Sequence, residues 1–167
     1  MKKLTLLFAF VFATTMAFAQ SNSSNINQEG SDNATTVTQV GNSNTTAIQQ
    51  IGDDNTGDVA QEGSANNAQV ENTGNKNTVS LAQIGSTNEG INLLTGSNNT
   101  ATITSDGDLN IVRQEATTNN SNLVGFQQGN SNKIVQNING SGLGNNQTAC
   151  FWIPVTLISL VRTCFQV

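Results

Sequence analysis

Glycine returns every eleven residues along this chain, at Gly30, Gly41, Gly52, Gly63, Gly74, Gly85, Gly96, Gly107, Gly129 and Gly140, with Thr118 the single break and no insertion shifting the phase. Asparagine follows three residues after nine of these ten, at Asn33, Asn44, Asn55, Asn66, Asn77, Asn88, Asn99, Asn110 and Asn132. Glutamine stands two residues ahead at Gln28, Gln39, Gln50, Gln61, Gln83 and Gln127. A composition merely rich in Asn and Gly would not hold register from Gly30 to Gly140. The pattern Q-x-G-x-x-N is therefore a structural repeat, and a stacked architecture is the expected fold.

The repeat body is poor in the material of a conventional core. Six of the seven phenylalanines and the only tryptophan lie outside it, leaving Phe126 as its one aromatic residue. A chain this polar orders through hydrogen-bonded ladders or not at all, because apolar burial alone does not offset its ordering entropy. Strict periodicity favours ladders. The only proline, Pro154, lies beyond the array, where it interrupts no strand pairing.

Residues 1–19 read as a secretory signal peptide: Lys2 and Lys3, an apolar run from Leu4 to Phe18, and Ala17-Phe18-Ala19 as the cleavage site. The run is too short for a membrane span, so the mature chain is expected to begin at Gln20 and to be exported. Removing two lysines leaves four basic residues against eleven acidic, a net charge of minus seven. That sign argues against nucleic acid and anionic lipid as partners. Residues 20–27, rich in Ser and Asn, read as a flexible leader.

Within residues 28–148 each unit divides into a strand and a turn. In Asn33–Gln39 the alternation puts residues 33, 35, 37 and 39 on an inward face and 34, 36 and 38 outward. The inward third position runs Val37, Ile48, Val59, Val70, Leu81 and Ile103. Gly-x-x-Asn supplies a residue free to take positive φ and an Asn able to bond its own backbone, so the chain is expected to reverse after every strand. Two eleven-residue units then make one coil of an all-β solenoid, and about five coils would give a prism about 25 Å long. Stacking would align the recurrent Gln and Asn as amide ladders of the cross-β kind. The unit Ala116–Phe126 has Ala116, Thr118 and Ser121 at its signature positions, which predicts an imperfect coil held in phase by Gln127.

These residues resemble the curlin repeat, Q-x-G-x-x-N-x-x-x-x-x-Q, of bacterial curli fibre subunits. Gln28 to Gln61 match it over three complete units, and the likeness extends over residues 28–142. The resemblance implies a monomer secreted unfolded that self-assembles on the cell surface into cross-β fibres of the biofilm matrix, which also mediate adhesion. The partners it implies are the chain itself, related curlin subunits, and outer-membrane secretion and nucleation machinery. Asn72, Leu94, Ser105, Ala116 and Ile138 replace the repeat Gln, which leaves both main and minor subunit roles open.

The tail, residues 149–167, has no counterpart in the repeats. Its apolar stretch, residues 149–161, is too short to span a bilayer, and three readings stand: a membrane or nucleation tether, a capping strand pair closed by Cys150 and Cys164, or a drifted end. The exterior allows that disulfide, though spacing does not establish it. Enzyme chemistry is not expected. Without histidine no Ser-His-Asp or Cys-His arrangement exists, and Asp53-Asp54 reads as a pair of turn residues. No cofactor or structural metal is expected, since calcium solenoids repeat Gly and Asp every nine residues and Asp is irregular here. The acidic residues, Asp53, Asp54, Asp58, Glu62, Asp106 and Asp108 among them, are expected to repeat their charge at short spacing and so to brake stacking. The alternative of another class is a monomeric solenoid binding ice or carbohydrate through threonine pairs such as Thr36/Thr38 and Thr102/Thr104. Asp58/Ala60 and Ser80/Ala82 interrupt that array.

Overall fold

The computed structural model describes residues 21–143, 146–152 and 159–165, with side chains over 21–140. The expected signal peptide lies outside the described residues. One sheet runs in the order β1 (Ser23–Glu29), β3 (Thr45–Ile51), β5 (Asn67–Thr73), β7 (Glu89–Thr95), β9 (Ile111–Asn119), β11 (Lys133–Leu143), β13 (Ser159–Phe165). The other runs β2 (Ala34–Asn42), β4 (Thr56–Ser64), β6 (Thr78–Ser86), β8 (Thr100–Asp106), β10 (Asn122–Gln128), β12 (Asn146–Trp152). The fold is the expected β-solenoid: the chain passes from one sheet to the other after each strand, and all pairing is parallel.

Because an eleven-residue unit carries the chain across to the opposite sheet, stacked residues differ by two units. Gln39 lies on Gln61 and Gln61 on Gln83, each a full coil further along the chain. The eleven strands β1–β11 thus wind about five coils. The corners stack as well as the strands: Gly52 N–H donates to Glu29 O at 2.9 Å, Asp54 N–H to Ser31 O at 3.0 Å and Thr56 N–H to Asn77 O at 2.8 Å. The ladder is continuous around each coil, which satisfies backbone groups that a turn would otherwise leave to water.

Alternation sets the core. In β4 and β5 every second side chain is buried and its neighbours point outward, as a pleated strand with one dry face requires. Val59, Val70, Val79, Leu81, Ile103, Leu123 and Ile134 form the apolar stripe between the sheets, and buried Gln and Asn run beside it.

Two expectations need correction. The segment read as a flexible leader holds most of β1, whose seven residues pair in register with β3. Asn22 explains this: it stands one unit before Asn33, and its Oδ1 accepts the Asn44 N–H at 2.9 Å, so the repeat begins one unit before its first glycine. The boundary placed between residues 148 and 149 falls inside β12, which continues the second sheet against β10, while β13 continues the first against β11. The coil grows longer there, since Asn122 pairs with Asn146 and Lys133 with Ser159, each beyond the usual two units. The unit with the lost signature is imperfect where expected: β9 pairs in register with β7 through Thr95↔Thr117 and with β11 through Asn139↔Thr117, but the register against β11 then shifts across Thr118, since Leu143 pairs with Asn119.

Candidate functional site

The candidate site is the interior, where recurrent amides meet at one-coil spacing. Gln39 Nε2 donates to Gln61 Oε1 at 2.9 Å, Gln61 Nε2 to Gln83 Oε1 at 2.9 Å, and Gln28 Nε2 to Gln50 Oε1 at 2.7 Å. Each is held from the side. Thr46 Oγ1 accepts from Gln39 at 3.2 Å and donates to Gln61 at 3.0 Å, and Thr35 Oγ1 does the same between Gln28 at 2.9 Å and Gln50 at 3.0 Å. Opposite the Gln a small residue is needed: a Cβ on Gly57 would stand 3.2 Å from Gln50 Nε2.

The asparagines do something other than close their own turn. Each bridges two neighbouring coils: Asn66 N–H donates to Asn44 Oδ1 at 3.0 Å, while Asn44 Nδ2 donates to Gly63 O at 3.1 Å. Asn88 on Asn66, Asn110 on Asn88 and Asn132 on Asn110 repeat the first bond along one edge. Asn55 on Asn33, Asn77 on Asn55 and Asn99 on Asn77 repeat it along the other. A local bond exists too, from Asn44 Nδ2 to Val40 O at 3.2 Å, so one side chain ties its own turn and, through Gly63 and Asn66, the next coil. Where Ser121 replaces Asn, its N–H still donates to Asn99 Oδ1 at 3.0 Å, but its hydroxyl finds no partner.

The lost glutamines prove ordered rather than random. Asn72, Leu94, Ala116 and Ile138 follow one another at one-coil steps in the first sheet. Two residues earlier on the same strands stand Val70, Asn92, Gln114 and Gln136, all fully buried or nearly so. From β7 onward the apolar and amide columns of this sheet have exchanged places. Gln114 Nε2 donates to Gln136 Oε1 at 2.6 Å, a ladder in the column that β3 and β5 fill with Ile48 and Val70. Gly125 across the interior leaves room for it, since a Cβ there would lie 3.1 Å from Gln114 Nε2.

The exchange in the first sheet, and Ser105 in the Gln column of the second, leave orphans. Asn72 Oδ1, both amide atoms of Asn92, Ser105 Oγ, Gln114 Oε1 and Gln127 Oε1 are buried without partners. Gln114 and Gln127 share one cause: the residue stacked ahead of each, Asn92 or Ser105, is too short to deliver the donor that a Gln would. Buried unpartnered amides cost on the order of 1–3 kcal/mol. Asn92→Val, of similar volume and continuing the column of Val70, should therefore raise unfolding stability by about 1–2 kcal/mol. Urea denaturation checks this, and a loss of stability would show that Asn92 is held by bonds it does not have here.

Most carboxylates are dispersed; only Asp32 and Asp54 occupy the same corner position one coil apart, with Lys76 next in that column. Asp53 sits between Ser31, whose N–H donates to its Oδ1 at 2.9 Å, and Asn75, whose Oδ1 accepts the Asp53 N–H at 2.9 Å. Asp58 pairs with Thr36 and Ser80, and Glu62 with Val40 and Ile84. Within one chain the expected brake is therefore confined to the Asp32–Asp54 corner pair, the other carboxylates lying beside uncharged residues. The one ion pair among the described side chains, Arg113 to Glu115 at 3.3 Å, is substantially exposed and contributes little. Among the described residues no cluster of His, Cys, Asp or Glu is suited to a metal. Thr36/Thr38 and Thr102/Thr104 share one face but are separated by Asp58/Ala60 and Ser80/Ala82, so no regular threonine lattice forms. Cys150 and Cys164 belong to strands of opposite sheets, and their side chains lie outside those described.

Residues 52–85 and 74–107 match the family model of the curlin associated repeat. The second match starts one coil after the first. No curated protein and no solved structure matches the chain.

Proposed function

Because this chain carries curlin associated repeats, we propose that it is a secreted structural subunit which adds end to end to further repeat chains, building extracellular curli-type fibres for biofilm matrix and adhesion. The observation that supports this best is the open end of the stack. Among the described residues, β1 and β2 each have a strand on one side only. Gln28 and Gln39 donate into the ladder, but their own carbonyl oxygens accept from no described residue. An unpaired parallel edge with no proline is a template for another strand, and the ladder continues without strain if that strand brings a Gln. The partners proposed are the chain itself and related repeat subunits, with export through the signal peptide of residues 1–19. No helix among the described residues is long and apolar enough to cross a membrane.

The chain from Gln20, released from denaturant, should convert from random coil to β-rich fibres visible by electron microscopy. Their diffraction should show the strand spacing at about 4.8 Å and the sheet spacing at about 10 Å. Monomer that stays soluble for days at high micromolar concentration would overturn the proposal.

A further inference from the structure

Parallel in-register stacking repeats outward side chains at coil spacing, so each face of the solenoid carries straight columns that step by about 4.8 Å. On the second sheet one column runs Val40, Glu62, Ile84, a carboxylate between two apolar side chains. On the first sheet another runs Ile91, Arg113, Val135, a guanidinium between two apolar side chains. The steps are equal. The two triplets therefore match in spacing and carry opposite charge at the centre.

Both triplets are open to a partner. Val40 and Ile84 are 54% and 47% exposed, two of the four large apolar side chains so exposed among the described residues, and Glu62 is exposed between them. Arg113 meets Glu115 on its own strand through Nη2 alone, which leaves guanidinium donors for a second carboxylate. Neighbouring columns fit as well. Ala60 and Ala82 flank Glu62 and Ile84, whereas Leu93 and Ile111 flank Ile91 and Arg113, so large side chains of one face meet small ones of the other when the sheets pack about 10 Å apart.

Charge selects between pairings. Asp58, Glu62 and Asp106 lie outward on the second sheet, and β2, β4, β6, β8 and β10 contain no Lys or Arg, so two such faces repel. Two first-sheet faces would set Arg113 on Arg113. Around Arg113 stand Glu89 and Lys133 in the column on one side and Glu115 in the column on the other, a balanced surround that does not repel an acidic face.

We infer that a second copy of this chain docks side by side, its second-sheet face on the first-sheet face, with Glu62 against Arg113 and with Val40 and Ile84 against Ile91 and Val135. The contact is heterologous. Each chain keeps one face of each kind free, so stacks join into open rows and not closed pairs. The inference rests on the end-to-end fibre reading for its strength, because a fibre repeats the contact once per chain and many weak contacts in line hold where one would not.

Glu62→Arg and Arg113→Glu, each grown separately into fibres of the full exported chain, test this by mass per length in electron microscopy. Wild-type fibres should be bundles of several stacks. Each variant should give single stacks of unchanged circular dichroism, since both positions point outward. Mixing preformed fibres of the two variants should restore bundling, because the arginine introduced in one then faces the glutamate introduced in the other. The chain carrying both substitutions should bundle like the wild type, and Ile84→Ser should thin the bundles with no change of charge. Single stacks in the wild type, or no recovery on mixing, would overturn the inference. Equal bundling in every variant would overturn it too and would leave the two faces to another partner. Absence of fibres counts against the end-to-end reading alone. Sedimentation of the folded chains then decides the lateral contact: self-association lost in each variant and recovered in their mixture is expected, and wild-type chains that stay monomeric at every concentration would overturn it.

Discussion

Gly63→Ala should destabilise the folded chain by about 4 kcal/mol or more, much of the stability of an ordinary domain. Gly63 has φ of +119°, and a Cβ built on it would overlap the carbonyl oxygen of Gly85 on the next coil and stand 2.8 Å from that carbonyl carbon. The obstacle is backbone held by the corner hydrogen bonds, so it cannot move aside as a flexible side chain would. The comparison that isolates this cause is Gly57→Ala. Gly57 is an in-strand glycine with no positive φ, and its added Cβ would meet Gln50 Nε2 at 3.2 Å and Ile48 Cγ2 at 3.6 Å, so its effect should stay within about 1 kcal/mol. Denaturant midpoints of the two variants decide it, and similar midpoints would mean that the corners do not stack this closely.

Gln61→Ala should cost about 3–5 kcal/mol, against about 0.5 kcal/mol or less for Ser80→Ala. Gln61 is 1% exposed and takes part in four hydrogen bonds: from Gln39 and Thr46 to its oxygen, and from its nitrogen to Gln83 Oε1 and to Thr45 O at 3.1 Å. Truncation leaves the buried Gln83 Oε1 without its donor, takes one of three acceptors from the half-buried Gln39 Nε2, and adds a cavity between them. Ser80 points outward on the same sheet and is exposed, so its loss orphans nothing in the interior. In fibres the same contrast should appear as seeded elongation that is much slower for Gln61→Ala. Equal rates and equal stabilities for the two variants would reverse the assignment of inner and outer faces.

What can be read from the sequence is whatever repeats at one position. The eleven-residue phase announces the strands, the turns and the inward columns of Val59, Leu81 and Ile103, because alternation and glycine spacing are properties of single units. The exchange of Leu94, Ala116 and Ile138 with Asn92, Gln114 and Gln136 is hidden, because it is a relation between two positions on alternate units. Taken unit by unit these residues look like scattered losses; taken at every second unit they are one column. The left-handed corner residues carry even less signal. Ala65, Thr87 and Leu109 all take φ between 55° and 59°, a conformation such side chains seldom adopt alone. Stacked corners impose it, at a cost that the interlocking backbone bonds offset. Asn22 does carry a signal for β1, but without a glycine at position 19 the first unit looks like leader.

The most direct test of the coil is a pair of double-cysteine variants in a Cys150→Ser, Cys164→Ser background. Thr56 and Thr78 are register partners on adjacent strands of one outer face, about 4.8 Å apart and within disulfide reach. Thr56 and Asn67 are one unit apart and belong to opposite sheets. Mild oxidation under dilute conditions should link Thr56→Cys to Thr78→Cys within one chain and leave Thr56→Cys with Asn67→Cys as free thiols. Ready closure of the second pair, with the first left open, would mean that successive units stack directly on one another and that the two-sheet solenoid is wrong.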